Sequence, residues 1–174
     1  MANWEIVELH RNSANWPKPL GEIVRIEKRV FPKHESLAKS FEEELRKKNI
    51  GLLYSEIGGE IAGYVMYSWP SSLFASITKL AVKENHRRRG HGEALLKAAI
   101  QKCRTRNVHR ISLHVDPSRS PAMSLYKKLG FQHGAIALVS KIQCHWIQAF
   151  GLEQIKTSIA TRSTQKMTMI GFSV

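Results

Sequence analysis

The stretch ENHRRRGHGEALLKAAI, residues 84–100, carries the clearest chemical signal in this chain. Arg87, Arg88 and Arg89 run into Gly90, His91, Gly92 and Glu93, and a helical apolar pattern follows. A strand-like segment ends just before it, at Val82. A strand–loop–helix passage aims several backbone N–H groups at one spot, and the helix dipole adds positive potential there. Glycines let the chain turn tightly and let a phosphate approach the backbone without a Cβ in the way. Flanking arginines offer charge-assisted hydrogen bonds. The chemistry is that of a pyrophosphate site. Taken alone, these residues fit a solvated arginine run before an amphipathic helix better, because short motifs often match by chance. The missing Gly-Lys-Ser/Thr excludes a nucleotide P-loop. The hairpin-linked strands upstream disfavour a dinucleotide fold.

The elements that must position this loop are legible around it. EIVELH (5–10) alternates as a strand. GEIVRIEKRVF (21–31) has apolar residues near helical spacing and stops before Pro32. Ser36 is a suitable N-cap for a charged amphipathic helix over 36–48. GLLYSEI (51–57), the turn Gly58-Gly59 and EIAGYVMYS (60–68) form a hairpin. A third strand of that sheet spans 72–82, a helix 91–106 and a further strand 109–115. Pro121 suits the first turn of another helix, which Gly130 stops. The order β-α-α-β-β-β-α-β-α implies an α/β sandwich with a mixed sheet.

The segment from Gly134 onward departs from this patterning. Residues 138–150 fit a helix through Leu138, Ile142, Trp146 and Phe150, and the last dozen residues read as poorly ordered. The expected division is therefore a patterned domain over 1–133 and an atypical segment over 134–174.

With 174 residues the chain can build one domain with a real core. Its apolar content of 43% and charged content of 24% are those of a water-soluble globular protein, not a membrane one. No apolar run approaches the roughly 20 residues that span a bilayer, and the N-terminus lacks a secretory pattern. Cys103 and Cys144 form neither a disulfide framework nor a metal-ligand spacing, and the eight histidines are scattered. A reducing compartment follows, with the cytoplasm as the expected location and the nucleus as the second. No metal is expected. A net charge of +13 favours anionic partners without choosing among nucleic acid, a phosphorylated cofactor and an acidic surface.

Context decides for the cofactor. The pattern Arg87-x-x-Gly90-x-Gly92, with ITKLAV before it and ISLHV and then AMSLYKKLGF after it, resembles the GNAT superfamily of acyl-CoA N-acyltransferases. The resemblance covers residues 51–132 closely and the N-terminal part loosely. Within that superfamily the segments look most like protein N-terminal and ribosomal-protein alanine acetyltransferases. The resemblance implies a three-layer sandwich with a mixed, splayed central sheet flanked by helices. It implies acetyl-CoA as co-substrate, with its pyrophosphate on the loop, chiefly on the amides of Arg88, Arg89, Gly90, His91, Gly92 and Glu93. The strand residues Leu80, Ala81 and Val82 would meet the pantetheine arm.

Transfer to an amine needs a neutral nucleophile and a leaving thiolate that is stabilised or protonated. His114 is the base candidate, since histidine titrates near working pH and the resemblance places a catalytic histidine there in some relatives. Tyr126 corresponds to the family tyrosine near the CoA sulfur, a general acid. The family's CoA-contacting asparagine is Arg119 here, which suits a phosphate instead. His34 and Glu35 lie in a loop where such enzymes admit substrate. The implied acceptor is a protein or peptide amine, with association to the ribosome as an extension. A membrane partner is not expected, and nucleic acid is disfavoured because no reading module accompanies the arginines. A small-amine acceptor stays open. So does a catalytically impaired acyl-CoA-binding form, because no tyrosine follows Tyr126 where the family's last strands normally carry some.

Overall fold

Two glycines reverse the chain within the sheet's long hairpin. Gly58 and Gly59 have φ of +57° and +79°, the left-handed pair that a two-residue hairpin needs. They join β2 (Ile50–Ile57) to β3 (Glu60–Ser68). The computed structural model describes residues 3–116, 118–134 and 144–149. Around the hairpin stand β1 (Trp4–Glu8), β4 (Phe74–Val82), β5 (Arg110–Val115), β6 (Gln132–Gly134) and β7 (Cys144–Ala149). The helices are α1 (Pro17–Val30), α2 (Phe41–Arg46), α3 (His91–Thr105) and α4 (Ser120–Lys128). The strand order is β1-β2-β3-β4-β5-β7-β6. Every pairing is antiparallel except β4–β5, whose parallel strands are joined across α3.

Both faces of the sheet are covered, and β2, β3 and β5 are accordingly buried almost continuously along their length. On one face Leu95, Leu96, Ala99 and Cys103 of α3 pack with Ile111, Leu113 and Val115 of β5, and Tyr126 and Phe131 join them. On the other, Ile23 and Ile26 of α1 and Phe41 and Leu45 of α2 pack on Leu52, Tyr64 and Met66. The expected three-layer sandwich with a mixed sheet holds.

The sheet comes apart at one place. β4 pairs with β5 from Phe74↔Arg110 to Ile77↔Leu113, and the pairing ends there. On its other edge β4 carries a bulge at the same level: Met66 opposes Lys79 and Tyr67 opposes Ile77, leaving Thr78 as the extra residue. The Thr78 hydroxyl donates to Met66 O at 3.0 Å. A bulge bends its strand and increases the local twist. The rest of β4, residues 78–82, therefore runs alongside β3 but leaves β5, and a cleft opens between the two parallel strands.

A buried ion pair sits at this bulge. Lys79 Nζ lies 3.3 Å from Glu27 Oε1 of α1, with side-chain exposures of 3% and 0%. Lys79 also donates to Glu35 O at 2.5 Å and stands 4.0 Å over the Phe31 ring. Glu27 further accepts from Leu37 N at 2.7 Å and from the Tyr64 hydroxyl. Burial, and then the Glu27 charge, push the Tyr64 hydroxyl well above its ordinary pKa. Each charge is thus paired and hydrogen-bonded, the condition for leaving it inside.

This network explains one departure from the sequence expectation. The helix expected over 36–48 is only Phe41–Arg46, and Ser36 is no N-cap; its hydroxyl accepts from Ala38 N at 3.2 Å. Glu27 and Lys79 take the backbone groups of Leu37 and Glu35 instead, which holds 35–37 off the helical path. α1 begins earlier than expected, at Pro17, because a proline fits the first turn. The helix expected over 138–150 is corrected too. Cys144–Ala149 is a strand, inserted between β5 and β6. Pairing the open edge of β5 outweighs a weak helical spacing. The expected poor order of the last dozen residues lies outside the described residues, as does most of the expected 134–174 segment.

Removing one partner of a buried pair strands the other charge. Lys79→Met should lower unfolding stability by about 3–5 kcal/mol, and Lys79→Met with Glu27→Leu should recover much of that loss. Urea unfolding of the three proteins measures both; an unchanged single variant would contradict the pairing.

Candidate active site

The loop after β4 is shaped by backbone conformation. A single 3-10 turn, Glu84–His86, follows Val82. Arg88 and Gly90 then adopt φ of +62° and +89°. Left-handed residues this close curve the chain so that successive N–H groups converge. Arg88 does so at a steric cost. Gly90 is the N-cap of α3 and gives it no side-chain cap. The first bond of the helix ladder runs from Ala94 N to Gly90 O at 3.0 Å. The N–H groups of His91, Gly92 and Glu93 precede that ladder and point out of the helix end. A Cβ built on Gly90 would meet no atom within 4 Å, so the space before these amides is open.

The side chains around the loop have separate tasks. Arg87 Nε donates to Val82 O at 3.1 Å, tying the loop to the end of β4. Arg88 and Arg89 are exposed, and neither has a carboxylate within 4 Å among the described residues. Glu93 is drawn sideways to Lys128 of α4 at 2.6 Å and Lys97 at 2.8 Å. Those two lysines, Lys128 first, hold its carboxyl down to about 2. The one carboxylate in the first turn of α3 is thereby neutralised. The His91 side chain turns inward. It is 1% exposed, tilted against the Trp4 ring at 4.7 Å and edge-on to His86 at 5.7 Å. Burial, then His86 and Arg89, lower its pKa, so it stays neutral under a cationic loop. Of the expected loop residues, His91 therefore offers its amide only.

At the cleft, Leu80 and Val82 pack on the α3 side and Ala81 on the α1 side. Their inner edge pairs with β3, as Tyr64↔Ala81 and Val65↔Leu80; their outer edge faces the gap. His114 is the first β5 residue beyond the last β4–β5 pair. It alternates with Leu113 and Val115 of the α3-side core and shares its face with Ser112, whose hydroxyl lies 3.1 Å from that of Ser76. Tyr126 enters from the opposite face. It is buried in the α3-side core with its ring edge-on to Phe131 at 6.0 Å. Burial pushes its hydroxyl up to about 12, against the nearby Arg119 charge. His114 thus lies on β5 just past its last pair with β4, and Tyr126 in the core on the α3 side of the sheet.

Arg119 and Glu35, expected at different ligands, meet each other at 2.9 Å. The exposed His34 adds a 3.5 Å approach to Glu35. This joins the start of α4 to the loop after α1. Sequence reasoning missed Glu27, Lys79 and Tyr64. A signal existed for two of them. Glu27 follows Ile23 by four residues on the buried stripe of α1, and Lys79 interrupts an apolar strand; a charge in such a place needs a partner. Among the described residues no group of three or more His, Cys, Asp or Glu could hold a metal ion, and no helix is long and apolar enough to cross a membrane.

Comparison with known proteins agrees with this fold. Residues 17–131 match the Acetyltransferase (GNAT) family. A Bacillus subtilis protein named as a ribosomal protein bS18-alanine N-acetyltransferase is 32% identical over 117 residues, 67% of this chain and 77% of that one. An N-alpha-acetyltransferase of Sulfurisphaera tokodaii is 32% identical over 123 residues, 64% of this chain and 73% of that one. Among solved structures, Ard1 from Thermoplasma volcanium superposes with a TM-score of 0.70 at 24% identity, over 84% of this chain and 97% of that one.

Because its folded pKa lies below the ordinary 4.5, the Glu93 carboxyl adds stability above that pH and loses it as pH falls toward about 2. NMR titration should find this carboxyl titrating near 2 and moving back up in Lys128→Ala. A titration near 4.5 in the parent protein would contradict the double lysine clamp.

Proposed function

Since the chain belongs to the Acetyltransferase (GNAT) family, we propose that it transfers the acetyl group of acetyl-CoA to a protein amine, an N-terminal α-amine before a lysine, by direct attack in a ternary complex. The observation that carries this reading is the cleft that opens where β4–β5 pairing stops at Ile77↔Leu113. The anion-ready loop lies at one end of it and His114 at its throat. The relatives named for alanine and α-amine acetylation support the acceptor class. So does the chemistry: a free α-amine has pKa of roughly 7.7–8.0 against roughly 10.4 for lysine, so it needs less help to become neutral.

The loop fits the cosubstrate. The amides of His91, Gly92 and Glu93 would bind its pyrophosphate, with open space beside Gly90 to receive it. Acetyl-CoA supplies an activated thioester. The free edge of Leu80–Val82 would align its amide-containing arm as an added strand, using backbone groups that β5 leaves unpaired. His114 takes the proton of the incoming ammonium, directly or through a water. The amine nitrogen bonds to the carbonyl carbon as the carbon–sulfur bond breaks. The departing thiolate takes the Tyr126 proton, which at a pKa of about 12 is retained at neutral pH until then, and the tyrosinate takes up the second proton that the acylated nitrogen sheds as it becomes an amide. The Glu35 loop, pinned by Lys79 and Arg119, would form the acceptor's entrance. The chain's +13 charge suits an acceptor presented on a polyanionic assembly such as the ribosome.

A thiol-release assay with acetyl-CoA and peptides of varied N-terminus, lysine peptides and polyamines tests the acceptor. We expect α-amines to be acetylated fastest; turnover with polyamines alone would replace this reading by a small-amine one. Gly90→Asp should abolish acetyl-CoA binding in calorimetry by placing a carboxylate at the phosphate, and unchanged affinity would remove the loop from the site. Tyr126→Phe should lower kcat by about 10²-fold with cosubstrate affinity intact; an equal kcat would end the general-acid role.

A further inference from the structure

A second cationic cavity adjoins the loop, on the α1 side of the sheet. It encloses about 220 Å³. Arg25 and Arg29 line it from α1, and Lys83 and Arg87 face them from the chain that leaves β4. Ile26 and Val30 give it an apolar wall. Two carboxylates also border it. Glu22 is engaged with Ile61 N at 3.4 Å, and Glu84 is exposed. Lys83 is shared with Glu60 at 2.7 Å. Arg25 and Arg29 are different. They stand four residues apart on one helix face, where like charges repel. Both are exposed, and among the described residues neither has a carboxylate within 4 Å. Two unneutralised guanidiniums facing one cavity are a site for an anion.

The size and place of the cavity restrict that anion. Whole-ligand pockets run to roughly 300–1,000 Å³, so this one admits a single charged group. Its wall includes Arg87, whose Nε is already fixed to Val82 O beside the pyrophosphate loop. A group bound here lies next to whatever the loop holds. In coenzyme A, the ribose that bears the pyrophosphate also carries a phosphomonoester on its 3′-oxygen, one sugar away. That group is close to dianionic at neutral pH, and a guanidinium pair matches it in charge and in hydrogen-bonding geometry.

We propose that Arg25 and Arg29 of α1 bind the ribose 3′-phosphate of the acyl-CoA cosubstrate and select it over its dephosphorylated form. This rests on the acetyl-CoA reading above. It gives α1 a role at the cosubstrate as well as in carrying the acceptor loop.

Calorimetry measures the affinity of acetyl-CoA and of acetyl-3′-dephospho-CoA, without acceptor, for the parent protein and for Arg25→Gln/Arg29→Gln. Both arginines are exposed, so the variant should fold, as circular dichroism will check. We expect loss of the 3′-phosphate to weaken binding to the parent by about tenfold or more. The double variant should lose a like factor for acetyl-CoA and bind the two forms equally. A parent protein indifferent to the 3′-phosphate overturns the proposal, and so does a variant that keeps the parent's preference. A variant altered only in its KM for acidic acceptor peptides also overturns it and gives the cavity to the acceptor. If the parent binds neither form, the acetyl-CoA reading itself fails, a result distinct from the others.

Discussion

Parallel pairing between β4 and β5 covers only Phe74–Ile77 against Arg110–Leu113. Everything proposed for this molecule depends on where that pairing stops. Backbone N–H and C=O groups that lose a strand partner need another one. The bulge at Thr78 creates that need inside the sheet, between two strands that are otherwise buried on both faces. An extended ligand with amide groups meets it. The same divergence aims the C-terminal end of β4 toward the amides of α3. A ligand lying in the gap then finds a positive helix end where it emerges.

The cleft has to be held open by something other than a ligand. The Lys79–Glu27 pair, with Glu35 O, Leu37 N and the Tyr64 hydroxyl, ties α1 and the loop after it to β4 at the bulge. Arg119–Glu35 ties the same loop to α4, which carries Tyr126. Lys128–Glu93 ties α4 to the first turn of α3. These polar links run from the loop after α1 to the first turn of α3. The hydrophobic clusters on the two faces supply most of the stability. The ion pairs decide how the elements stand relative to the gap.

Much of this was legible in the sequence, for identifiable reasons. The Gly58-Gly59 hairpin, the strand before the arginines and the helix after Gly90 have local causes, namely left-handed glycines and helical apolar spacing. The loop before α3 could be read because backbone conformation, written as glycine positions, makes it. The bulge could not, since Thr78 is an ordinary strand residue and only the register across to Met66 and Tyr67 singles it out. The short α2 was misread because Glu27 and Lys79, distant in sequence, capture the backbone that local propensity assigned to a helix. The strand Cys144–Ala149 was missed because its pairing with β5 is non-local and its own residues lack alternation. Arg25 and Arg29 gave no signal until α1 was seen against Arg87.

The central claim is that the β4–β5 cleft and the loop at its end form one acetyl-CoA site. An amide-resolved NMR titration of the protein with acetyl-CoA tests this most directly. Saturable shifts are expected in the amides of residues 80–82 and 88–93, with those of the β1–β2 pairing unchanged. Shifts elsewhere, with the Gly90, Gly92 and Leu80–Val82 amides unmoved at saturation, would contradict the account.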